Sequence, residues 1–291
     1  MNFFKKIRNA FVFYLLTPIR FRIKKFFKEI IYFRKIYHAK KFCNSFSLSS
    51  SESFILDSLN KYGFSYLPND FFLKDDLISL KSYSENLYNQ ELKNIEKILE
   101  YKNIRAINKN AIYEDKHIAR RIMFNPSLIK ITSKYLSMAP NLRGPDIVVS
   151  RQITPNKLGS QYWHIDDIDT KILKLFIYLT DVEDSNDGPF IYSEKNQKCT
   201  KQFKILRRGH ISDKALRQKN IQMEPNEVLG KKFTAFLIDT YSNPHKGSIK
   251  LKKDRIIYVC TYTTHSHWGN ESVDLKFKDI GELLENLGYI N

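Results

Sequence analysis

The side chains best suited to chemistry in this 291-residue chain are His164 and Asp166, His245 far downstream, and Arg255 ten positions beyond it. Two imidazoles and a carboxylate are the donor set of a facial triad for non-haem Fe(II), which leaves positions on the metal open for oxygen chemistry. An Arg fork pairs bidentately with a carboxylate, so Arg255 can clamp the far carboxylate of a bound 2-oxoglutarate. On a strand, alternate side chains share a face. His164 and Asp166 then point one way and Ile165 and Asp167 the other, which makes Asp167 and Asp169 poorer ligand candidates. His-x-Asp alone is a weak signal. The order His-x-Asp, distant His, then Arg is a compound one.

The elements that must position these residues come in two blocks. Residues 54–62 read as a helix ended by Gly63, 64–67 as a short strand, 70 to about 99 as mostly helical, and about 126–136 as a helix closing near Pro140. Short segments rich in Val, Ile, Phe, Tyr and Thr follow, at 146–154, 161–166, 171–182, 188–193, 232–239 and 255–264, separated by Gly, Pro, Asn and Asp turns. No long helices alternate with them, which argues against a parallel α/β sheet. Helices first and many short strands afterwards predict a mainly β fold: a double-stranded β-helix, or jelly-roll, cupin-like barrel, buttressed by N-terminal helices.

With the elements placed, several segments resemble the phytanoyl-CoA dioxygenase family within the Fe(II)/2-oxoglutarate oxygenases. They are Lys61-Tyr62-Gly63-Phe64-Ser65-Tyr66-Leu67-Pro68, Trp163-His164-Ile165-Asp166, Leu175 to Val182 with Asp187-Gly188-Pro189-Phe190, and Asp239-Thr240 through His245-Lys246-Gly247 with Arg255. The resemblance spans roughly residues 52–265. It implies a dioxygenase that takes Fe(II), 2-oxoglutarate and O2, with His164, Asp166 and His245 as metal ligands and Arg255 on the cosubstrate's C5 carboxylate. Related halogenases lack the carboxylate ligand, so Asp166 favours hydroxylation or another oxidation over halogenation. Two departures stand out. Tyr192-Ser193-Glu194-Lys195-Asn196 replaces the usual Pro-Gly-Ser-His, and Gly247 stands where a small hydroxyl residue is common, with Ser248 one place later. A non-catalytic cupin-like ligand-binding or membrane-associated interaction module is the rival reading.

Composition bounds the rest. Hydrophobic content of 42% excludes global disorder. Cys43, Cys199 and Cys260 are too few for a disulfide framework, which favours a reducing, cytoplasmic setting. The net charge of +17 is lopsided: residues 1–41 carry twelve Lys/Arg against one acid, Glu29. Aromatics interleave with those charges, and no run is long enough to span a bilayer. Residues 1–44 thus form a basic amphipathic extension ahead of an oxygenase-like domain at 45–291. Residues 1–42 are expected to contact the inner, anionic face of a membrane peripherally. Packing on the domain and binding of a polyanion are the competing readings, although no nucleic-acid module is recognisable. An insertion at about 195–230 bears nine Lys/Arg between 195 and 219. It reads as a solvated loop or as a lid facing an anionic small-molecule, lipid or glycan-type substrate. Arg151 is a further cavity candidate and His265-x-His267 a weaker metal pair. His38, His117 and His210 stand alone, and Cys260 reads as a small core residue.

Overall fold

Among the described residues, helices precede most of the strands. A computed structural model describes residues 43–99, 104–106, 117–150, 159–166, 168–169, 171–195, 210–248, 250–264 and 272–274. Helix α1 (Ser50–Tyr62) begins ahead of residue 54 because Ser49 caps it. The Ser49 hydroxyl accepts from Glu52 N at 3.3 Å while the Glu52 carboxylate accepts from Ser49 N at 2.8 Å, a capping box. The Ser-rich run 44–53 therefore enters a helix at Ser50. Helices α2 (Lys74–Leu99), α3 (Ile118–Met123) and α4 (Pro126–Leu136) follow, α4 with Asn125 as N-cap and Pro126 in its first turn.

The strands form two antiparallel sheets. The larger contains β1 (Phe64–Tyr66), β2 (Ile104–Ala106), β3 (Asn141–Ser150), β4 (Ile172–Tyr178), β7 (Ala235–Asp239), β9 (Arg255–Thr263) and β10 (Ser272–Asp274), in the order β1-β7-β4-β9-β3-β10 with β2 also on β3. The smaller has β5 (Phe190–Tyr192) between β6 (Asn226–Val228) and β8 (His245–Gly247). Isolated bridges Trp163↔Ile211 and His164↔His245 extend it by one more short segment. Neighbours in these sheets are far apart in sequence, as a jelly-roll requires. Residues 161–166 do not make the expected regular strand: a 3₁₀ turn (Gly159–Gln161) leads into the two bridges.

Side-chain alternation decides what each face of the large sheet does. Leu173, Leu175 and Ile177 of β4, Ala235 and Leu237 of β7, and Ile256, Tyr258, Cys260 and Tyr262 of β9 pack with α1, α3 and α4 in one core. Tyr258 and Tyr262 also donate to the carbonyls of Ala119 and Met123, at 2.6 and 2.7 Å, pinning α3 to β9. The alternate residues face inward: Phe176, Tyr178, Phe236, Ile238 and Ile257 meet Phe190, Tyr192 and Val228 of the small sheet. Cys260 is a buried core residue. Helices thus cover one face of the sheet and leave the other to the site.

Gly63 ends α1 with φ 71° and is pressed against Asn243. A Cβ there would lie 2.0 Å from Asn243 Oδ1, in a backbone region side chains avoid. Asn243 Nδ2 donates to the carbonyls of Tyr62 and Ser193 at 2.9 and 3.2 Å, so this contact locks α1 to the turn before His245. Gly63→Ala is expected to cost roughly 1–3 kcal/mol, read as a lower urea midpoint at unchanged slope; an unaltered midpoint would contradict the close approach.

Candidate metal centre and its cavity

Two segments separated by most of the barrel sequence are joined by a reciprocal backbone pair. His164 N donates to His245 O at 3.0 Å and His245 N to His164 O at 2.9 Å. In an antiparallel sheet such partners present their side chains on one face, and the two imidazole centroids are 4.2 Å apart. Asp166 N donates to Thr240 O at 3.0 Å, which brings the carboxylate back to the same place. The approach to His245 is built by Asp239. Its carboxylate accepts from Tyr241 N and Ser242 N at 3.0 and 3.2 Å and from Tyr135 Oη at 2.6 Å, fixing the turn that precedes Pro244.

His164, Asp166 and His245 each offer one ligand atom, and these atoms lie within 4.8 Å of one another. Nδ1 of His164 is 2.9 Å from Tyr162 O and Nδ1 of His245 is 3.0 Å from Asn243 O. A carbonyl only accepts, so each Nδ1 carries the proton and each Nε2 is left as the ligand atom. Burial lowers both imidazole pKa values, that of His245 to about 3, with repulsion between the two rings adding to it. Both are neutral at pH 7 and can ligate a cation without losing a proton. Asp166 resists the opposite effect of burial because Lys174 and then the two histidines hold its carboxyl below the usual range. Lys174 Nζ sits 2.7 Å from Asp166 Oδ2, and His245 Nε2 is 3.9 Å from the same oxygen.

The triad opens into a cavity of about 380 Å³ that Arg255, Lys174, Arg143, Asp146, Phe176 and Phe190 also line. Arg255 is buried. Its Nη1 donates to Gly188 O and its Nη2 to Ser150 Oγ at 3.0 Å, while Nε has no partner and no carboxylate pairs with it among the described residues. A buried guanidinium without an anion is costly, and a carboxylate-bearing ligand in this cavity would supply one. Nitrogen and oxygen donors with open positions suit Fe(II), and the Arg suits a dicarboxylate. The residues fit both groups.

The structure brings all four expected residues to one cavity and corrects the surroundings. Lys174, read only as part of a strand, lies at the site. His210, read as isolated, stands 5.0 Å centroid to centroid from His164; nothing in its loop sequence signals this. His117 is structural, accepting from Ala119 N as the cap of α3. Asp169, set aside as a ligand, accepts from Thr264 N and Oγ1, both at 2.6 Å. Ser248 does not replace the missing hydroxyl, since its Oγ accepts from Lys250 N at 3.1 Å outside the cavity lining. The described part of the basic insertion holds α5 (Asp213–Gln218), whose Leu216 packs with Ile221 on Trp163. Asp213 accepts from Trp163 Nε1 and from Lys246 Nζ, both at 2.7 Å. This stretch therefore braces the back of the histidine pair. Residues 1–42, His38, Arg151, Asp167, 196–209, His265 and His267 lie outside the described residues.

No family model matches the sequence, and no curated protein matches it. Solved structures do. The non-heme alpha ketoglutarate dependent carbocyclase SnoK from nogalamycin biosynthesis matches with TM-score 0.50 and 12% identity over 75% of this chain and 87% of that one. EctD from S. alaskensis with 2-oxoglutarate and 5-hydroxyectoine matches with TM-score 0.51 and 15% identity, over 78% and 81%. At such identities the likeness establishes the jelly-roll fold, and the chemistry must come from this chain's residues.

Two outcomes check the centre. Calorimetric Zn(II) affinity should fall by more than about 100-fold in His164→Ala and Asp166→Ala, beyond the effect of losing an outer contact. It should rise in Lys174→Met, where the ammonium no longer competes for the carboxylate; equal affinities in all four proteins would refute the triad. The second concerns pH in the metal-free protein. His245 titrates near 3 when folded and near 6.5 when unfolded, so between these values the unfolded chain binds more protons. Stability rises with pH through that window and is lost on acidification. His245→Gln should flatten the fall in melting temperature below about pH 6.5; an unchanged slope would place the proton uptake elsewhere.

Proposed function

We propose that the chain is an Fe(II)- and 2-oxoglutarate-dependent oxygenase that hydroxylates a small molecule. The observation that carries this reading is the coexistence, in one cavity, of a His-Asp-His donor set and a buried Arg with no anionic partner among the described residues. Fold likeness to SnoK and EctD agrees with it, as does the fact that EctD has been crystallised with bound Fe and with 2-oxoglutarate and 5-hydroxyectoine. The motif resemblance to phytanoyl-CoA dioxygenases points the same way.

When bound, Fe(II) with O2 and 2-oxoglutarate supplies the oxidant, with decarboxylation to succinate coupled to oxidation of a substrate C–H bond. The chain supplies geometry and charge. Neutral His164 and His245 and ionised Asp166 offer three ligand atoms from one side, leaving the cavity side open. Arg255 receives the cosubstrate's distal carboxylate, with Ser150 and Gly188 fixing the guanidinium plane. Phe176 and Phe190, tilted against each other with Phe190 stacked 5.4 Å from the His245 ring, keep water away from it. Residues 1–42 would bring this domain to an anionic membrane surface on the cytoplasmic side.

The Fe(II)-loaded protein should turn over 2-oxoglutarate to succinate slowly without substrate. Arg255→Ala should weaken 2-oxoglutarate by about 10- to 100-fold, since a charged hydrogen bond is worth about 1.5–3 kcal/mol. Zn(II) affinity should hardly change in that variant. No 2-oxoglutarate binding by the metal-loaded wild type under anaerobic conditions would end the oxygenase reading.

A further inference from the structure

The sheet register sets a third imidazole beside the histidine pair. Trp163 N donates to Ile211 O at 3.0 Å and Ile211 N to Trp163 O at 2.8 Å, an antiparallel bridge. One step along that ladder, His210 stands opposite His164, at the kind of position where cross-strand side chains approach most closely. His164 exchanges its other backbone edge with His245, so it lies between two histidines and all three rings belong to one face of the sheet. Centroid to centroid, His164 is 4.2 Å from His245 and 5.0 Å from His210.

These separations are on the scale of imidazoles that share an ion. A metal–nitrogen bond of about 2.1 Å puts a ring centre about 3.2 Å from the metal, so two coordinated rings stand about 4.5 Å apart at a right angle and about 5.2 Å apart at a tetrahedral one. His210 is not in the group whose ligand atoms already lie within 4.8 Å of one another, so its ring must rotate to reach the ion. Its side chain is exposed and has no hydrogen bond to the described residues. Its backbone neighbours, by contrast, are held. Ser212 Oγ accepts from Ala215 N at 3.1 Å as the cap of α5, and Asp213 accepts from Trp163 Nε1 and Lys246 Nζ, both at 2.7 Å. A free imidazole on a fixed backbone can turn to the metal at little cost.

We propose that His210 is a fourth protein ligand of the metal-only state, occupying one of the positions that His164, Asp166 and His245 leave open. It retains the ion at the exposed edge of the centre. This rests on the triad of the oxygenase reading and is independent of the cosubstrate.

Zn(II) is the probe, with 2-oxoglutarate left out of every arm. In protein labelled with nitrogen-15 at histidine, long-range proton–nitrogen spectra count the imidazoles whose nitrogens take the metal-bound shift. Three rings should do so when Zn(II) is added to the wild type, and two in His210→Ala. Calorimetric Zn(II) affinity should fall about tenfold in His210→Ala, the scale of one lost contact at a metal. His210→Glu, which returns a ligand atom, should stay within about threefold of the wild type. The proposal is overturned if Zn(II) shifts only two rings, if the third shifted ring persists in His210→Ala, or if His210→Ala binds Zn(II) as the wild type does. It is equally overturned if the Glu variant binds as weakly as the Ala variant, since His210 would then act by packing. Should a variant misfold, the wild-type ring count decides alone. Failure of the triad reads differently, as Zn(II) affinity unchanged in His164→Ala. Absence of 2-oxoglutarate binding would end the oxygenase reading and leave the ring count standing.

Discussion

Two backbone hydrogen bonds, exchanged between His164 and His245, hold the metal-binding geometry together. Everything around them serves to keep that pair in register. On one side Lys246 lies 4.6 Å over the Trp163 ring while both donate to Asp213, so the residues next to the two histidines are tied to α5. On the other, the turn organised by Asp239 and Asn243 delivers His245 from β7, and Tyr135 of α4 anchors that turn. A slip of one residue would send the histidines to opposite faces. The precision of the centre thus depends on contacts well outside it.

The cavity carries charges that a folded protein seldom tolerates. Arg255 is buried with no acid paired to it among the described residues, and its guanidinium keeps charge because Arg does not release its proton at accessible pH. Asp166 sits opposite Lys174, so in the metal-free protein one side chain stands in for part of the cation's charge. The two imidazoles stay neutral because burial outweighs the pull of Asp166. Such a set costs stability in the empty state and gains from ligands of defined sign: a cation at the triad, a carboxylate at Arg255. Specificity for charged ligands follows from that polarity before any shape is considered.

How much of this the sequence disclosed depends on the range of the signal. The helix at about 126–136 was readable, because Asn125-Pro126 is a local start signal and strand spacing begins soon after. The triad and Arg255 were readable because their spacing is tied to strand order in a jelly-roll. Lys174 was not, since a Lys on an alternating strand looks like a solvent-facing residue until the sheet's inner face is known to be a cavity. His210 and the bracing role of Asp213 were hidden for a different reason: both depend on where a basic insertion folds back, and its composition speaks only of solvation. The short strand β6 escaped notice because Asn226-Glu227-Val228 offers one apolar residue, too few to show alternation.

The bulge in β3 shows how a local irregularity decides what a cavity can bind. Gly144-Pro145 reads in sequence as the point before a strand starts; the strand instead runs through it from Asn141, with its register on β9 shifting between Arg143 and Asp146. Leu142 and Ile147 both lie in the helix-facing core although their positions differ in parity, which strict alternation forbids. The extra residue accommodated there restores the phase, as bulges beside active sites do. Without it, keeping Ile147 on the helices would turn Leu142 into the cavity and Arg143 into the apolar core, where an unpaired charge is prohibitive. The apolar demand of the helical layer and the cationic demand of the cavity are therefore met by the same two residues, Gly144 and Pro145, which carry no chemistry of their own.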